Sequence, residues 1–182
     1  MDKAIGLVEY KTVSVGITAA DKMVKTAEVE ILQAQTVCPG KYIVLLCGKL
    51  SAIRAAIENG IKEYSSDVID SFVLGNPHDS IFKGINGTSK ILETQALGII
   101  ETYSAASIIV AADLCAKTAH VELIEIRVAK GMCGKSYLLC TGELAAVNES
   151  VEVAVKKISE SGMLLNKSVI ANPDRKLWEN IL

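Results

Sequence analysis

The residues of this sequence best suited to chemistry are two cysteines in turn-forming segments. Cys38 is followed by Pro, Gly and Lys, and Cys133 is followed by Gly and Lys. A cysteine thiolate is a ligand for zinc and for iron–sulfur clusters, and it is a nucleophile when its pKa is lowered. From the residue types alone, an unliganded turn cysteine is the favoured interpretation of Cys38.

The other three cysteines stand in apolar surroundings. Cys47 and Cys140 lie in apolar, strand-like runs, and Cys115 lies in an Ala-rich helical segment. Free cysteines in such positions behave as small hydrophobic residues. The chain has an odd number of cysteines, 5 in all, and no Cys-x-x-Cys pair, so the pattern does not indicate a disulfide framework.

Combinations of residues that are typical of enzymes are missing. The two histidines, His78 and His120, show no pairing with a cysteine that would suggest a nucleophile and its base. The run 129–136 ends in Gly-Lys-Ser like a P-loop, but Ala129 occupies the first required glycine position. A strand pattern follows it, where a phosphate site needs the start of a helix. The sequence therefore predicts no catalytic residue and no nucleotide site.

Charge and hydropathy exclude several classes of partner. The net charge is -2 and no basic run is present, which argues against nucleic acid and anionic membranes as partners. The first residues lack the apolar region of a signal peptide, and no apolar run reaches membrane-spanning length. We therefore expect a cytoplasmic protein that contacts neither nucleic acid nor membrane.

An internal repeat supplies the elements that position the turn cysteines. After a shift of 92 residues, residues 4–31 align with 96–123, and 12 of the 28 pairs are identical. Shorter matches continue after slips of two and four residues. Such self-similarity indicates two copies of one domain. We place the copies at 1–85 and 96–182, with a linker at 86–95.

Each copy predicts the element order βαββαβα. The first copy gives a strand at 4–10, a helix with Ile17, Ala20, Val24 and Ala27 inward, a hairpin at 29–37 and 42–47, a helix capped by Ser51, and a strand at 71–74. The second copy repeats the strands at 96–102, 121–128, 137–140 and 168–170. This order predicts an α/β (α+β) fold, in which each copy is a ferredoxin-like antiparallel sheet with helices packed on it.

The repeated motifs resemble the bacterial microcompartment shell domain. The strand Ala-Ile-Gly-Leu-Val-Glu and the helix Ala-Ala-Asp-Lys-Met-Val-Lys-Thr-Ala are similar to the N-terminal half of that domain, and Gly48-Lys49-Leu50 is similar to its next part. Tandem members of the family form trimers that imitate hexamers. The resemblance thus implies a structural protein, not an enzyme, that forms a homotrimer and joins other shell proteins in a lateral sheet of the microcompartment shell.

The resemblance also implies which residues meet at the pore and at the tile edge. In the family, the hairpin loop after the second strand lines the central pore. The matching residues here are Val37, Cys38, Pro39, Gly40 and Lys41 in the first copy, and Gly131, Met132, Cys133 and Gly134 in the second. Lysines on the first helix make the lateral contacts between tiles, which implies this role for Lys25 and Lys117.

The segment 36–41 is similar to the propanediol-utilisation subgroup of tandem shell proteins, whose pore-loop cysteine binds an iron–sulfur cluster on the threefold axis. Three thiolates, one from each chain, are enough to hold three irons of a [4Fe-4S] cluster. The resemblance therefore implies one [4Fe-4S] cluster per trimer, ligated by Cys38, that serves electron transfer or cluster delivery across the shell. An encapsulated redox enzyme is a candidate partner, and Lys41 is expected to offset the cluster charge.

Three alternatives stay open at this point. A site of three thiolates also accepts [3Fe-4S] or zinc. The same tile with Cys38 free would have an open metabolite pore. A small redox enzyme or electron carrier that uses the same cysteine without shell assembly is the third.

Overall fold

The computed structural model describes residues 4–182, and their packing divides the chain into two units. The first unit contains residues 4–77 together with the segments 104–106 and 129–135. The second unit contains residues 78–103, 107–128 and 136–182. Each repeat supplies one sheet, and two short segments of the second repeat pack with the first unit.

The first repeat forms a four-stranded antiparallel sheet. Its elements are β1 (Ala4–Tyr10), α1 (Val13–Thr26), β2 (Val29–Val37), β3 (Lys41–Gly48), α2 (Leu50–Glu63) and β4 (Val68–Gly75). The strand order is β2-β3-β1-β4. Every residue of β1 is buried, because the strand is central in the sheet. This burial explains why β1 is an apolar run rather than an alternating pattern.

The second repeat forms the same sheet. A short helix, α3 (Ser80–Asn86), precedes it, and its elements are β5 (Ala96–Thr102), α4 (Ala105–Thr118), β6 (Val121–Arg127), β7 (Ser136–Gly142), α5 (Leu144–Ser159), β8 (Leu164–Ile170) and α6 (Arg175–Ile181). The strand order is β6-β7-β5-β8, which matches the first sheet position for position. The predicted fold class is therefore confirmed. No helix within residues 4–182 is both long and apolar enough to cross a membrane.

Two glycines allow the second helix of each repeat to pack closely on its sheet. A Cβ at Gly6 of β1 would lie 2.7 Å from side-chain atoms of both Ile53 and Ile57 of α2. A Cβ at its counterpart, Gly98, would lie 2.8 Å from Val147 of α5. Contacts this short are not tolerated in packed interiors, so both positions exclude a side chain.

The predicted inner face of α1 is wrong at Ile17, which is 53% exposed. The buried residues of α1 are Gly16, Ala19, Ala20 and Met23. Gly16 faces Tyr42 of β3 so closely that a Cβ would lie 2.5 Å from the tyrosine side chain. The small residues therefore turn toward the sheet, because they allow this close approach, and Ile17 turns outward.

The predicted cap of α2 is also wrong. The helix begins at Leu50 with Lys49 in the capping position, so Ser51 lies inside the first turn and caps nothing. The predicted inward residues Ile53 and Ile57 are buried, as expected from their spacing.

The helix α3 packs with the second unit although it follows the first repeat in sequence. It lies against β6, where a Cβ at Gly84 would come within 2.9 Å of Ile126. Its Ile81 is completely buried. The division of the chain by packing therefore falls after Pro77, whereas the division we infer from the repeat falls at residue 85.

Candidate functional site

The site lies in the first unit, where two loops pack together. Loop 1 (residues 37–41) joins β2 to β3, and loop 2 (residues 129–135) joins β6 to β7. The Cys38 amide donates a hydrogen bond to the Ala129 carbonyl oxygen at 3.0 Å, and the Gly40 amide closes the turn on the Val37 carbonyl at 3.0 Å. The structure thus brings together the two segments for which the resemblance implies a common pore. Their position at a pore remains a prediction.

Gly134 permits this contact between the loops. Its φ is +87°, a conformation that glycine adopts without cost. A Cβ there would lie 3.0 Å from the Cys38 carbonyl oxygen and 3.1 Å from Pro39. Any other residue at this position would push loop 2 away from loop 1.

Cys38 is fixed by the hydrogen bond of its backbone amide, whereas its sulfur makes no such contact with the described residues. The residue is half-buried, and its neighbours Pro39 and Gly40 are exposed. Within residues 4–182 the thiol makes no hydrogen bond. Val37, which is 5% exposed, anchors loop 1 in the core next to Cys38.

Loop 2 has an unusual backbone. Ala129 and Cys133 adopt φ of +54° and +52°, and Gly131 adopts +71°. Residues with a Cβ are rare in this region and cost about 1–2 kcal/mol each there. Cys133 is exposed and Met132 is half-buried, with the Lys135 amide bonded to the Met132 carbonyl at 3.1 Å. Loop 2 is therefore strained at two positions beside loop 1.

A buried carboxylate at the end of β1 supports both loops. Glu9 has no exposed surface, and its Oε1 accepts from the Lys41 ammonium at 2.8 Å. Its Oε2 accepts from the Ala105 amide at 2.8 Å, at the first residue of α4. The positive end of a helix and an ammonium both stabilise a carboxylate, so Glu9 is paired on both oxygens. The sequence signal for Glu9 is its recurrence as Glu101 in the second repeat.

This ion pair engages Lys41, the residue that is expected to offset the charge of a cluster. Its side chain is only 17% exposed and is engaged by Glu9. The ammonium is therefore paired within the chain, and its role toward a cluster stays a prediction.

A second polar contact holds the start of α4 in the first unit. Ser104, which is fully buried, donates its hydroxyl hydrogen bond to the Asp70 carboxylate of β4. The other oxygen of Asp70 accepts from the Ser71 amide at 2.8 Å. Asp70 and Glu9 thus position the residues 104–106 in the first unit.

The remaining cysteines are confirmed as core residues. Cys47 is 5% exposed, and Cys115 and Cys140 are completely buried. A hydrogen bond with Cys140 and burial raise the pKa of the Cys115 thiol far above its ordinary value. All three are therefore unsuited to metal binding from solvent.

The predicted edge lysines are paired within their own helices. The Lys25 ammonium contacts Asp21 at 2.6 Å, and Lys117 contacts Asp113 at 2.7 Å. Both ion pairs span one helical turn and contribute little stability. Their role in lateral contacts stays a prediction. The two histidines, His78 and His120, are exposed.

A single chain offers too few ligands for a metal cluster. Within residues 4–182, no group of three or more His, Cys, Asp or Glu side chains is placed to hold a metal ion. In the type of its donor atom, however, the half-buried Cys38 fits an iron–sulfur cluster. A cluster at loop 1 therefore requires Cys38 from several copies of the chain.

Comparisons with known proteins agree on one family. The model of the BMC domain matches residues 4–77 and 96–173. The chain is 37% identical over 182 residues to the bacterial microcompartment shell protein PduT of Citrobacter freundii, an alignment that covers 100% of this chain and 99% of that protein. It is 23% identical over 178 residues to the carboxysome assembly protein CcmO of a Synechocystis strain, covering 90% of this chain and 59% of that protein.

Solved structures show the same architecture. A microcompartment protein from Desulfitobacterium hafniense superposes with a TM-score of 0.86 at 45% identity, covering 98% of this chain and 99% of that chain. A fused permuted hexameric shell protein of the RMM microcompartment has a TM-score of 0.68 at 18% identity, covering 87% of this chain and 84% of that chain, and supports the fold alone. The chain belongs to the BMC-domain family of bacterial microcompartment shell proteins and carries two tandem copies of the BMC domain.

Proposed function

We propose that three copies of this chain form a pseudohexameric tile of a microcompartment shell. Two similar domains per chain and a threefold axis provide six domain positions around one centre. The similarity along the whole chain to a relative named as a shell protein supports this role. The role is structural rather than catalytic.

Loops 1 and 2 line the central opening of this tile. The hydrogen bond between Cys38 and Ala129 fixes the two loops side by side, so they reach the axis together. The residues that surround the opening are Val37, Cys38, Pro39, Gly40, Lys41, Gly131, Met132, Cys133 and Gly134.

The opening holds one [4Fe-4S] cluster, with Cys38 of each chain as ligand. The observation that supports this assignment is the half-buried Cys38, whose sulfur has no hydrogen-bond partner among residues 4–182. Three such thiolates hold three irons, and the fourth takes an external ligand. When bound, the cluster supplies one-electron redox chemistry, which suits electron transfer or cluster delivery across the shell.

Other partners of the tile follow from the same role. Neighbouring shell proteins contact its edges, at which Lys25 and Lys117 take part, and an encapsulated redox enzyme exchanges electrons with the cluster. Both lysines are at least 40% exposed at the side chain, so they are accessible to such neighbours.

The test is iron and acid-labile sulfide per trimer, with an EPR spectrum, on protein purified without oxygen. We expect about four irons per trimer in the natural protein and in Cys133→Ser, and none in Cys38→Ser. Cys133→Ser is the matched control, because it removes an exposed thiol from the adjoining loop. Iron in Cys38→Ser would contradict the assignment of the ligand. No iron in any sample would favour a tile with an open metabolite pore.

A further inference from the structure

Two completely buried cysteines lie together in the core of the second repeat. Cys115 of α4 and Cys140 of β7 have no exposed surface, and a hydrogen bond joins their side chains. The Cys115 thiol also donates to the Ser150 carbonyl oxygen of α5 at 3.4 Å. The two sulfurs are therefore direct neighbours, which is the arrangement that a disulfide requires.

The sheet and α5 fix the position of the Cys140 sulfur. Cys140 lies opposite Gly98 of β5 in the sheet. A Cβ at Gly98 would lie 2.7 Å from this sulfur, and 2.8 Å from Val147 and 3.0 Å from Val151 of α5. Both sulfurs thus border the turn of α5 at 147–151.

A third polar group belongs to the same part of the core. Ser150 is completely buried, and its hydroxyl has no hydrogen-bond partner in the part of the chain that the structure describes. A buried hydroxyl without a partner costs free energy. Because Ser150 lies in the turn of α5 that the sulfurs border, its hydroxyl is close to a group that forms on either of them.

The first repeat has no such cluster. The positions equivalent to Cys115, Cys140 and Ser150 are occupied by apolar residues that are completely buried in one core, namely Met23, Leu46 and Ala56. The same fold thus packs without a thiol or a hydroxyl at these positions. Packing alone therefore does not explain why the second repeat carries all three groups.

We propose that Cys115 and Cys140 form a disulfide when the protein is exposed to hydrogen peroxide. Peroxide is small enough to reach a core that opens locally for short times. The cross-link makes the stability of the second repeat sensitive to oxidants. Neither a trimer nor a metal cluster is needed for this reaction, since the three residues belong to one unit of one chain.

The reaction has two steps. One sulfur attacks a peroxide oxygen as its thiolate, so an S–O bond forms, the O–O bond breaks, and the hydroxide that leaves takes the thiol proton and becomes water. The second sulfur then attacks the sulfenic sulfur, the S–S bond forms, and the sulfenic oxygen leaves with the second thiol proton as another water. The two sulfurs lose two electrons, which reduce one peroxide. The Ser150 hydroxyl donates a hydrogen bond to the sulfenic oxygen as it leaves.

Burial makes this reaction slow. The thiolate is the attacking form, and the hydrogen bond with Cys140 together with burial raises the pKa of the Cys115 thiol far above its ordinary value. The pair therefore stays reduced during brief exposure and responds to peroxide that persists.

The disulfide joins α4 to β7 and closes a loop that contains β6 and loop 2. A cross-link of this kind stabilises a fold mainly by constraining the unfolded chain. We expect the oxidised protein to unfold about 5–10 °C above the same sample reduced with dithiothreitol.

The first test uses the full chain with Cys38→Ser and Cys133→Ser, so that the thiols of the two loops take no part. The folded protein is kept in hydrogen peroxide for hours, treated with catalase, unfolded in guanidinium chloride with iodoacetamide, and digested for mass spectrometry. Cys115 and Cys140 should appear in one pair of disulfide-linked peptides, whereas Cys47, a buried thiol of the first repeat, should be alkylated. Alkylation of all three thiols, oxidation of the pair without an S–S bond, or a disulfide that includes Cys47 would each overturn the proposal. An unchanged unfolding temperature would contradict the effect on stability.

The second test follows the rate of disulfide formation in Ser150→Ala, which places the residue of the first repeat at this position. We expect the rate to fall by about 2–10-fold, because one hydrogen bond to the leaving oxygen is lost. The reduced variant should unfold at the same temperature as the natural protein or higher, because an unpaired buried hydroxyl is removed. Cys115→Ala is the matched control and should give no linked peptides. An unchanged rate in Ser150→Ala would contradict the role of this hydroxyl.

Discussion

The ammonium of Lys41 lies 2.8 Å from the completely buried carboxylate of Glu9. The pair joins loop 1 to the end of β1, and the second carboxylate oxygen reaches the first amide of α4. One side chain therefore links the loop that carries Cys38 to a helix of the second repeat.

We expect Lys41→Met to destabilise the chain by about 3 kcal/mol, because it leaves the buried Glu9 carboxylate without its counter-ion. Urea unfolding at a fixed protein concentration measures the loss. The double variant Glu9→Gln, Lys41→Met removes the unpaired charge and should recover part of it. Equal stability of the single and double variants would show that Glu9 does not depend on Lys41.

Gly134→Ala and Gly40→Ala form a matched pair. Both place a Cβ at positive φ, but only Gly134 faces a backbone atom at 3.0 Å. In dilute, dissociated protein we expect Gly134→Ala to cost about 1–3 kcal/mol more than Gly40→Ala, because loop 2 must move away from Cys38. Chemical unfolding of the two variants gives the comparison, and equal costs would contradict the packing of the loops.

Stability should fall at alkaline pH in part through Tyr137. Burial, and a hydrogen bond to the Glu125 carboxylate at 2.6 Å, raise the pKa of Tyr137 from 10.0 to about 12. The protonated Tyr137 hydroxyl therefore contributes its full stabilisation of the fold below pH 10, and this contribution is lost as the pH rises toward 12. Tyr137→Phe should therefore lose less stability than the natural protein between these values. Parallel urea midpoints across that range for both proteins would contradict the prediction.

Two isoleucines at equivalent positions should respond differently to truncation. Ile109→Ala removes a completely buried side chain and should cost about 2–5 kcal/mol in the free energy of unfolding. Ile17→Ala should change the stability of the dissociated chain by about 0.5 kcal/mol or less, since Ile17 is exposed. Thermal unfolding of dilute protein measures both changes, and equal losses from the two variants would contradict the difference in burial.

Most of the fold was predictable because the same pattern of strands and helices occurs in both repeats. The strands at 4–10, 29–37 and 96–102 coincide with the observed ones, since buried central strands and hairpins have strong local patterns. The inner face of α1 was not predictable from periodicity. Two faces of α1 carry apolar residues. The close approach of Gly16 to Tyr42 determines which of the two faces packs on the sheet.

The candidate site was predictable only in part. The turn cysteines and the two loops follow from the sequence and the resemblance, but the contacts of Glu9 that stabilise the loops do not. Glu9 bonds an amide 96 residues away, and no local pattern specifies a partner at that separation. The positive φ of Ala129 was equally hidden, because alanine carries no signal for that conformation.

The segments 104–106 and 129–135 have a consequence for synthesis on the ribosome. The first unit includes residues that are translated long after Pro77, so its last contacts cannot form until residue 135 has left the exit tunnel. Domains usually fold in the order in which they are made. Here the carboxylate of Glu9 lacks its amide partner until Ala105 has emerged, and loop 1 lacks its contact with loop 2 until residues 129–135 have followed.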